Sequence, residues 1–209
     1  DWKQEAPFEW HNITGRYQID KNKFYVEEEV VECKKILSEI LQSGNVSSIG
    51  IISPFRLQVQ KIREACESLI RKYGDEKEIV IDTITRFQGD EKDVIVFSLA
   101  VSHPYITERG KLKKNNEVFY LGNNNLINVG LTRAKSNLIV VGDKGYCRKS
   151  ECGLLNRLAE YSEETVAVNK HLPETHEEQI IVNALKNEGF NPLCQYDFFA
   201  YRMDIALFE

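Results

Sequence analysis

Ile79-Val80-Ile81-Asp82-Thr83-Ile84-Thr85-Arg86-Phe87-Gln88-Gly89-Asp90-Glu91-Lys92-Asp93-Val94-Ile95-Val96-Phe97 is the stretch that decides the fold. Two continuous apolar runs, 79–81 and 94–97, frame a polar turn. Runs of this length, rich in β-branched residues and apolar at every position, are strands buried on both faces. Ile49-Gly50-Ile51-Ile52 upstream and Leu138-Ile139-Val140-Val141 downstream have the same character. Helical periodicity fills the gaps. Val30, Val31, Ile36, Ile40 and Leu41 share a face over 26–43, and Leu57, Ile62, Cys66, Leu69 and Ile70 share one over 55–73, stopped by Gly74 and Asp75. Such strands alternating with helices indicate a parallel sheet covered by helices on both sides, and the class is α/β.

The rest of the chain is read outward from that frame. A polar insertion, 103–117, holds Arg109, Lys111, Lys113 and Lys114 and is expected as a surface loop or long hairpin: solvated, or contacting phosphates. A closing helix is expected at 151–161 and a linker at 162–171. Beyond Pro173 a helical pattern through Ile181, Ala184 and Leu185 ends at Gly189, and two short strand-like pieces follow at 192–196 and 203–208. So short a segment cannot bury a core of its own, which suggests that the chain cuts through a second domain. The expected division is therefore 1–165 and 166–209.

Composition excludes several classes. The 209 residues are 42% hydrophobic and 28% charged, which is neither disorder nor a disulfide scaffold. No apolar run reaches the roughly 20 residues of a membrane span, and Asp1-Trp2-Lys3-Gln4-Glu5 lacks a signal-peptide pattern. Five scattered cysteines, an odd number, point to a reducing, cytoplasmic setting. The net charge of −5 argues against a protein that merely coats nucleic acid. It is unevenly spread, with 4 basic against 11 acidic residues in 151–209 (net −7) and 23 against 21 in 1–150 (net +2).

Three segments carry chemistry, each expected at the carboxyl end of a strand, where open α/β sheets bind ligands. They are Ser53-Pro54-Phe55-Arg56-Leu57-Gln58, then 82–93, then Asn128-Val129-Gly130-Leu131-Thr132-Arg133-Ala134-Lys135. In the second, Gly89 permits a backbone conformation or a close approach that a Cβ would block, and Glu91 can accept from a sugar hydroxyl. A solvated turn is the plainer alternative. In the third, Arg133 falls in the last turn of a helix. It is either a salt-bridge and C-cap partner or a planar fork that reads phosphate.

Together and in this order, the segments resemble the C-terminal RecA-like domain of superfamily 1 helicases, in the branch of the nonsense-mediated-decay and Okazaki-processing helicases. The similarity covers about residues 5–150. Ile49 to Gln58 resembles that branch's Ile-Gly-Val-Ile-(Ser/Thr)-Pro-Tyr-x-x-Gln element, 82–95 its motif V, and 128–135 its motif VI. The resemblance implies that Arg133 is an arginine finger at the γ-phosphate of ATP bound between two RecA-like domains. It implies that Gln88, Gly89 and Glu91 couple the nucleotide cleft to the strand-binding surface, with Glu91 near the ribose. Ser53, Pro54 and Thr83 would touch a single-strand backbone, with DNA favoured over RNA, and Lys113 and Lys114 would join them if the basic loop contacts phosphate. Gln58 matches the family without an assigned role. Lys135 stands where relatives often carry a second Arg, and it lacks the bidentate fork.

No Gly-x-x-x-x-Gly-Lys-(Ser/Thr) sequence occurs in the chain, so ATP and Mg²⁺ would act together with a first RecA-like domain of the same parent chain. The tail, with Thr175-His176-Glu177-Glu178 and Tyr201-Arg202-Met203-Asp204-Ile205-Ala206-Leu207, resembles the start of a very-short-patch-repair-type PD-(D/E)XK nuclease. Asp204 would be its metal-binding aspartate, and Glu178 a supporting carboxylate or merely half of a capping box. A divalent metal would serve that site only in the full-length protein, because the Glu-x-Lys half is not in this sequence. Cys147 and Cys152 are a poor zinc pair and read as free thiols. A helicase motor domain is thus the leading expectation, and a non-motor nucleic-acid-binding or scaffold module is the alternative.

Overall fold

A computed structural model describes residues 8–20, 23–87, 89–103, 105–106, 112–113, 123–161, 173, 175–190, 192–198 and 201–207. The chain divides into two compact units, Asp1–Ala159 and Glu160–Glu209. No described helix is long and apolar enough to cross a membrane.

In the first unit the order is β1 (Phe8–Asn12), β2 (Tyr17–Asp20), β3 (Lys23–Val26), α1 (Glu27–Ser43), β4 (Ser48–Ser53), α2 (Arg56–Tyr73), β5 (Glu78–Thr83), β6 (Lys92–Ser98), β7 (Tyr105–Ile106), β8 (Leu112–Lys113), α3 (Asn124–Leu131), β9 (Ala134–Gly142), α4 (Lys144–Lys149) and α5 (Gly153–Tyr161). Five strands form one wholly parallel sheet in the order β1-β9-β6-β4-β5. The sheet is flanked by helices, as the apolar runs require. Alternate residues of the central strands (Ile49, Ile51, Val94, Val96) pack with α1 and α2 through Cys33, Ile36, Ile40, Ile62 and Cys66. The opposite face receives the 84–91 connection and α3. A Cβ on Gly50 would lie 2.6 Å from the Phe87 ring, and one on Gly130 would lie 3.2 Å from Ile52 and 3.5 Å from Ile84. These two glycines let the connection and the helix lie close on the sheet.

β1 escaped the apolar-run criterion because Phe8-Glu9-Trp10-His11-Asn12 mixes polar with apolar residues. It is an edge strand fixed by side chains. Trp10 Nε1 donates to Gly142 O at 3.0 Å. His11 lies between Glu9 Oε1 (3.0 Å) and Glu32 Oε1 (2.7 Å), and its hydrogen bond to Glu9, followed by that to Glu32, raises its pKa despite burial. β2 and β3 form a hairpin that leads into α1. In the 103–117 insertion, β7 and β8 pair antiparallel, while Arg109, Lys111 and Lys114 lie outside the described residues. All five cysteines are buried and none forms a disulfide. Burial pushes the thiols of Cys33 and Cys147 well up and that of Cys66 to about 11, which leaves them unreactive.

The second unit holds α6 (His176–Asn187) and an antiparallel hairpin of β10 (Leu193–Phe198) and β11 (Tyr201–Ala206). Thr175 caps α6, its hydroxyl accepting from Glu178 N–H at 3.1 Å.

Candidate functional site

The three segments do not all lie at carboxyl ends of strands, and this corrects the expectation drawn from the sequence. Ser53 and Thr83 are paired neighbours at the carboxyl ends of β4 and β5. Gly89 and Glu91 lead into the amino end of β6, and Arg133 into the amino end of β9. The reason is topological. β5 and β6 are parallel and lie on either side of β4, so residues 84–91 must travel back from one edge of the sheet to the other. Phe87 sits over Gly50 on the way.

At the carboxyl edge, Ser53 is fully buried and its hydroxyl accepts from Phe55 N–H at 3.4 Å. It shapes the turn, so any contact with solvent there falls to the half-buried Pro54 and Thr83. Thr83 N–H donates to Asp82 Oδ1 at 2.7 Å, and Asp82 Oδ2 draws in Arg63 (3.6 Å) and Arg86 (3.7 Å). These two exposed arginines were not singled out by the sequence reading, because neither belongs to a basic run. Behind the turn, Gln58 is fully buried and ties three segments together. Its Oε1 accepts from Val26 N–H (2.8 Å), and its Nε2 donates to Ser98 Oγ (2.9 Å) and to Val26 O (3.3 Å). That is a structural role for the residue left unassigned. Ser98 Oγ in turn donates to Glu29 Oε2 at 2.7 Å, which also accepts from Ala100 N–H at 2.8 Å. Ala100 has φ +51, a left-handed conformation costly for a residue with a Cβ, and Glu29 holds it there.

At the amino edge, Gly89 has φ +89 while a Cβ there would meet nothing within 4 Å. Its glycine is required by conformation and not by space. Glu91 is exposed, and Gln88 lies outside the described residues. Arg133 follows directly on the end of α3. Its Nε donates to Val129 O (3.0 Å) and its Nη2 to Thr132 Oγ1 (3.4 Å), leaving the guanidinium half-exposed. Helix capping and partial exposure therefore coexist in one residue. Asp93 pins the edge, its Oδ2 accepting from the backbone N–H groups of Ser48 (2.8 Å) and Ser47 (3.2 Å).

Other expected residues fall apart from these edges. Lys113 lies on β8, and only its backbone course is described. Asp204 lies on β11 between the registered pairs Tyr196–Met203 and Cys194–Ile205, and its side chain is outside the described residues. Glu178 lies in the first turn of α6. Among the described residues no cluster of His, Cys, Asp and Glu is arranged to hold a metal ion.

Known proteins agree with the larger unit. The family described as the AAA domain matches residues 1–145. MOV-10 of Gallus gallus is 32% identical over 157 residues, covering 69% of this chain and 16% of that protein. DNA polymerase alpha-associated DNA helicase A of Saccharomyces cerevisiae is 32% identical over 146 residues, 69% of this chain and 19% of that protein. RNA helicase Mov10l1 of Homo sapiens is 31% identical over 130 residues, 62% of this chain and 10% of that protein. The chain thus spans under a fifth of the length of these curated relatives, which include both DNA and RNA helicases. With the parallel sheet, the two glycine approaches and the motif order in place, the chain belongs to the AAA domain family and contains a superfamily 1 helicase domain.

Proposed function

We propose that residues 1–165 are the second motor domain of an ATP-dependent helicase, closing on a first RecA-like domain of the same parent chain. The observation that carries this reading is the sorting of the chemistry onto two edges. The amino edge suits the polyanionic end of a nucleotide. It presents the half-exposed Arg133, the positive-φ turn at Gly89, and Glu91 for a ribose hydroxyl, with Gln88 beside them in sequence. Bound there, ATP with its Mg²⁺ would supply the phosphoryl group. The chain's own contribution is the Arg133 charge, aimed at developing negative charge. The carboxyl edge suits a sugar-phosphate backbone. Pro54 and Thr83 form its floor and Arg63 and Arg86 its cationic margin, contacts that carry no base information.

For 166–209 we propose the opening of a nuclease-like domain. Asp204 would be one metal-binding carboxylate and Glu178 a supporting one. This needs further ligands from the full-length protein, because one or two carboxylates do not hold the divalent ion that phosphodiester cleavage uses.

One observation favours the scaffold alternative: Arg133 already has a structural job in capping α3. Replacement separates the two roles. In the full-length protein, Arg133→Lys keeps a cation at the helix end but loses the fork, and Arg133→Ala loses both. The motor reading expects ATP turnover to fall by a factor on the order of 10³ in both variants, with single-strand binding retained. Undiminished turnover in Arg133→Ala would remove Arg133 from the mechanism and leave the scaffold reading standing.

A further inference from the structure

Lys92 opens β6 yet is only 3% exposed, an unusual burial for a lysine. Its ammonium is 2.6 Å from Asp90 Oδ1 and 3.0 Å from Glu78 Oε1, and it lies 5.8 Å from the centre of the Phe87 ring. Its backbone N–H donates to Arg133 O at 3.1 Å. One residue therefore joins the start of β5, the 84–91 connection and the turn that carries Arg133.

The sheet register shows why such a joint is needed. Lys92 pairs with Ala134, but Val94 pairs with Asn137, so β9 carries one extra residue between Ala134 and Asn137, just past Arg133. A bulge of this kind re-aims the chain and interrupts the regular ladder. The Lys92 N–H bond to Arg133 O is then the ladder contact on the α3 side of that bulge, and it holds the direction in which Arg133 leaves α3. Asp90 and Glu78 are largely exposed themselves, so the cation, not its partners, is the buried anchor.

We propose that Lys92 is a positioning residue. Through its backbone it fixes Arg133, and through its ammonium it fixes the 84–91 turn, so that both present to the nucleotide together. This rests on the assignment of Arg133 to the nucleotide. Its part is to set position, through Asp90, Glu78 and the Arg133 carbonyl.

The test is a double-mutant cycle in the full-length protein. Turnover of ATP and thermal unfolding are measured for Lys92→Met, Arg133→Ala and the double variant, with Asp90→Asn as a milder opening of the same joint. A positioning role expects Lys92→Met to lower kcat by about tenfold or more, the scale of a misplaced catalytic group. It also expects the double variant to be no slower than Arg133→Ala alone, because the two act as one unit. Asp90→Asn should show the same coupling with a smaller loss, and it decides the matter if Lys92→Met does not fold. Wild-type kcat in a folded Lys92→Met, or a loss that multiplies with that of Arg133→Ala, overturns the proposal. If Arg133→Ala itself is fully active, the motor reading fails first and this inference fails with it, an outcome the single variant identifies by itself.

Discussion

Glu29 carries a carboxyl into the core, where burial pushes its pKa up to about 8 against hydrogen bonds from Ser98 and Ala100 that pull it down. An ordinary glutamate titrates at 4.5, so between 4.5 and about 8 the folded chain holds a proton that the unfolded chain releases. This group's contribution to stability is therefore greatest below the lower value, falls as pH rises through that window, and is level above it. Glu29→Gln, which keeps an acceptor for Ser98 and Ala100, should remove that slope. Its stability relative to wild type, measured by urea unfolding at intervals from pH 5 to 9, should improve up to about pH 8 and then stay constant. Glu29→Leu leaves both donors without an acceptor and should be less stable than Glu29→Gln by about 2–4 kcal/mol at every pH in that range. A Glu29→Gln profile parallel to wild type would mean that the carboxyl is not the titrating group. The run Glu27-Glu28-Glu29 looks like acid placed at a helix N-terminus, and only the helical phase shared with Cys33, Ile36 and Ile40 betrays that Glu29 points inward. Lys92 was harder to find. Nothing local marks a lysine at a strand start as buried, because the partners of its ammonium come from the crossing connection and from β5, on the far side of β4.

The elements that could be read from the sequence were those whose apolar residues follow a single period. The central strands announced themselves as unbroken apolar runs, and α1 and α2 by their stripes, with Gly44 at φ +80 closing the first. β1 and the β2–β3 hairpin could not be read that way, since tryptophan and histidine side chains and a hairpin partner hold them. The path of 84–91 was also hidden. Its composition is that of a surface turn, but its length is set by the need to recross β4. Gly50 is the trace of that path inside a strand. Gly50→Ala would place a methyl group 2.6 Å from both the Phe87 ring and Ile95 Cδ1. It should destabilise the protein by about 1–3 kcal/mol, as overpacking does. Adding Phe87→Leu should recover part of that loss in chemical denaturation. A Gly50→Ala variant as stable as wild type would show that the ring is free to move aside.

At the scale of the molecule, the motif order made the class of the larger unit plain, but not which edge each motif occupies. Strand order is decided by long-range pairing that no local pattern contains. The charge of −5 is likewise a sum over unlike parts, and the unit that bears the candidate edges is close to neutral. With no Gly-x-x-x-x-Gly-Lys-(Ser/Thr) sequence to cradle the β- and γ-phosphates, the 209-residue chain by itself should hydrolyse no ATP, with or without single-stranded nucleic acid. Strand-stimulated turnover by the purified chain, free of contaminating ATPase, would contradict the assignment of its active half to a separate domain.

β4 has six residues, and its length sets the distance between the two edges. At about 3.3 Å per residue that is roughly 20 Å. In physiological salt, exposed charges are screened from one another within about 8 Å. On the proposed assignments, a phosphate at Arg133 would therefore be largely screened from a strand lying beside Thr83, and the reverse would hold as well. Any message between the edges has to travel as displacement. Residues 84–91 are the shortest of the connections that run from the carboxyl edge of the sheet back to the amino edge. Salt should tune how tightly each edge holds its own ligand while leaving the linkage between them unchanged.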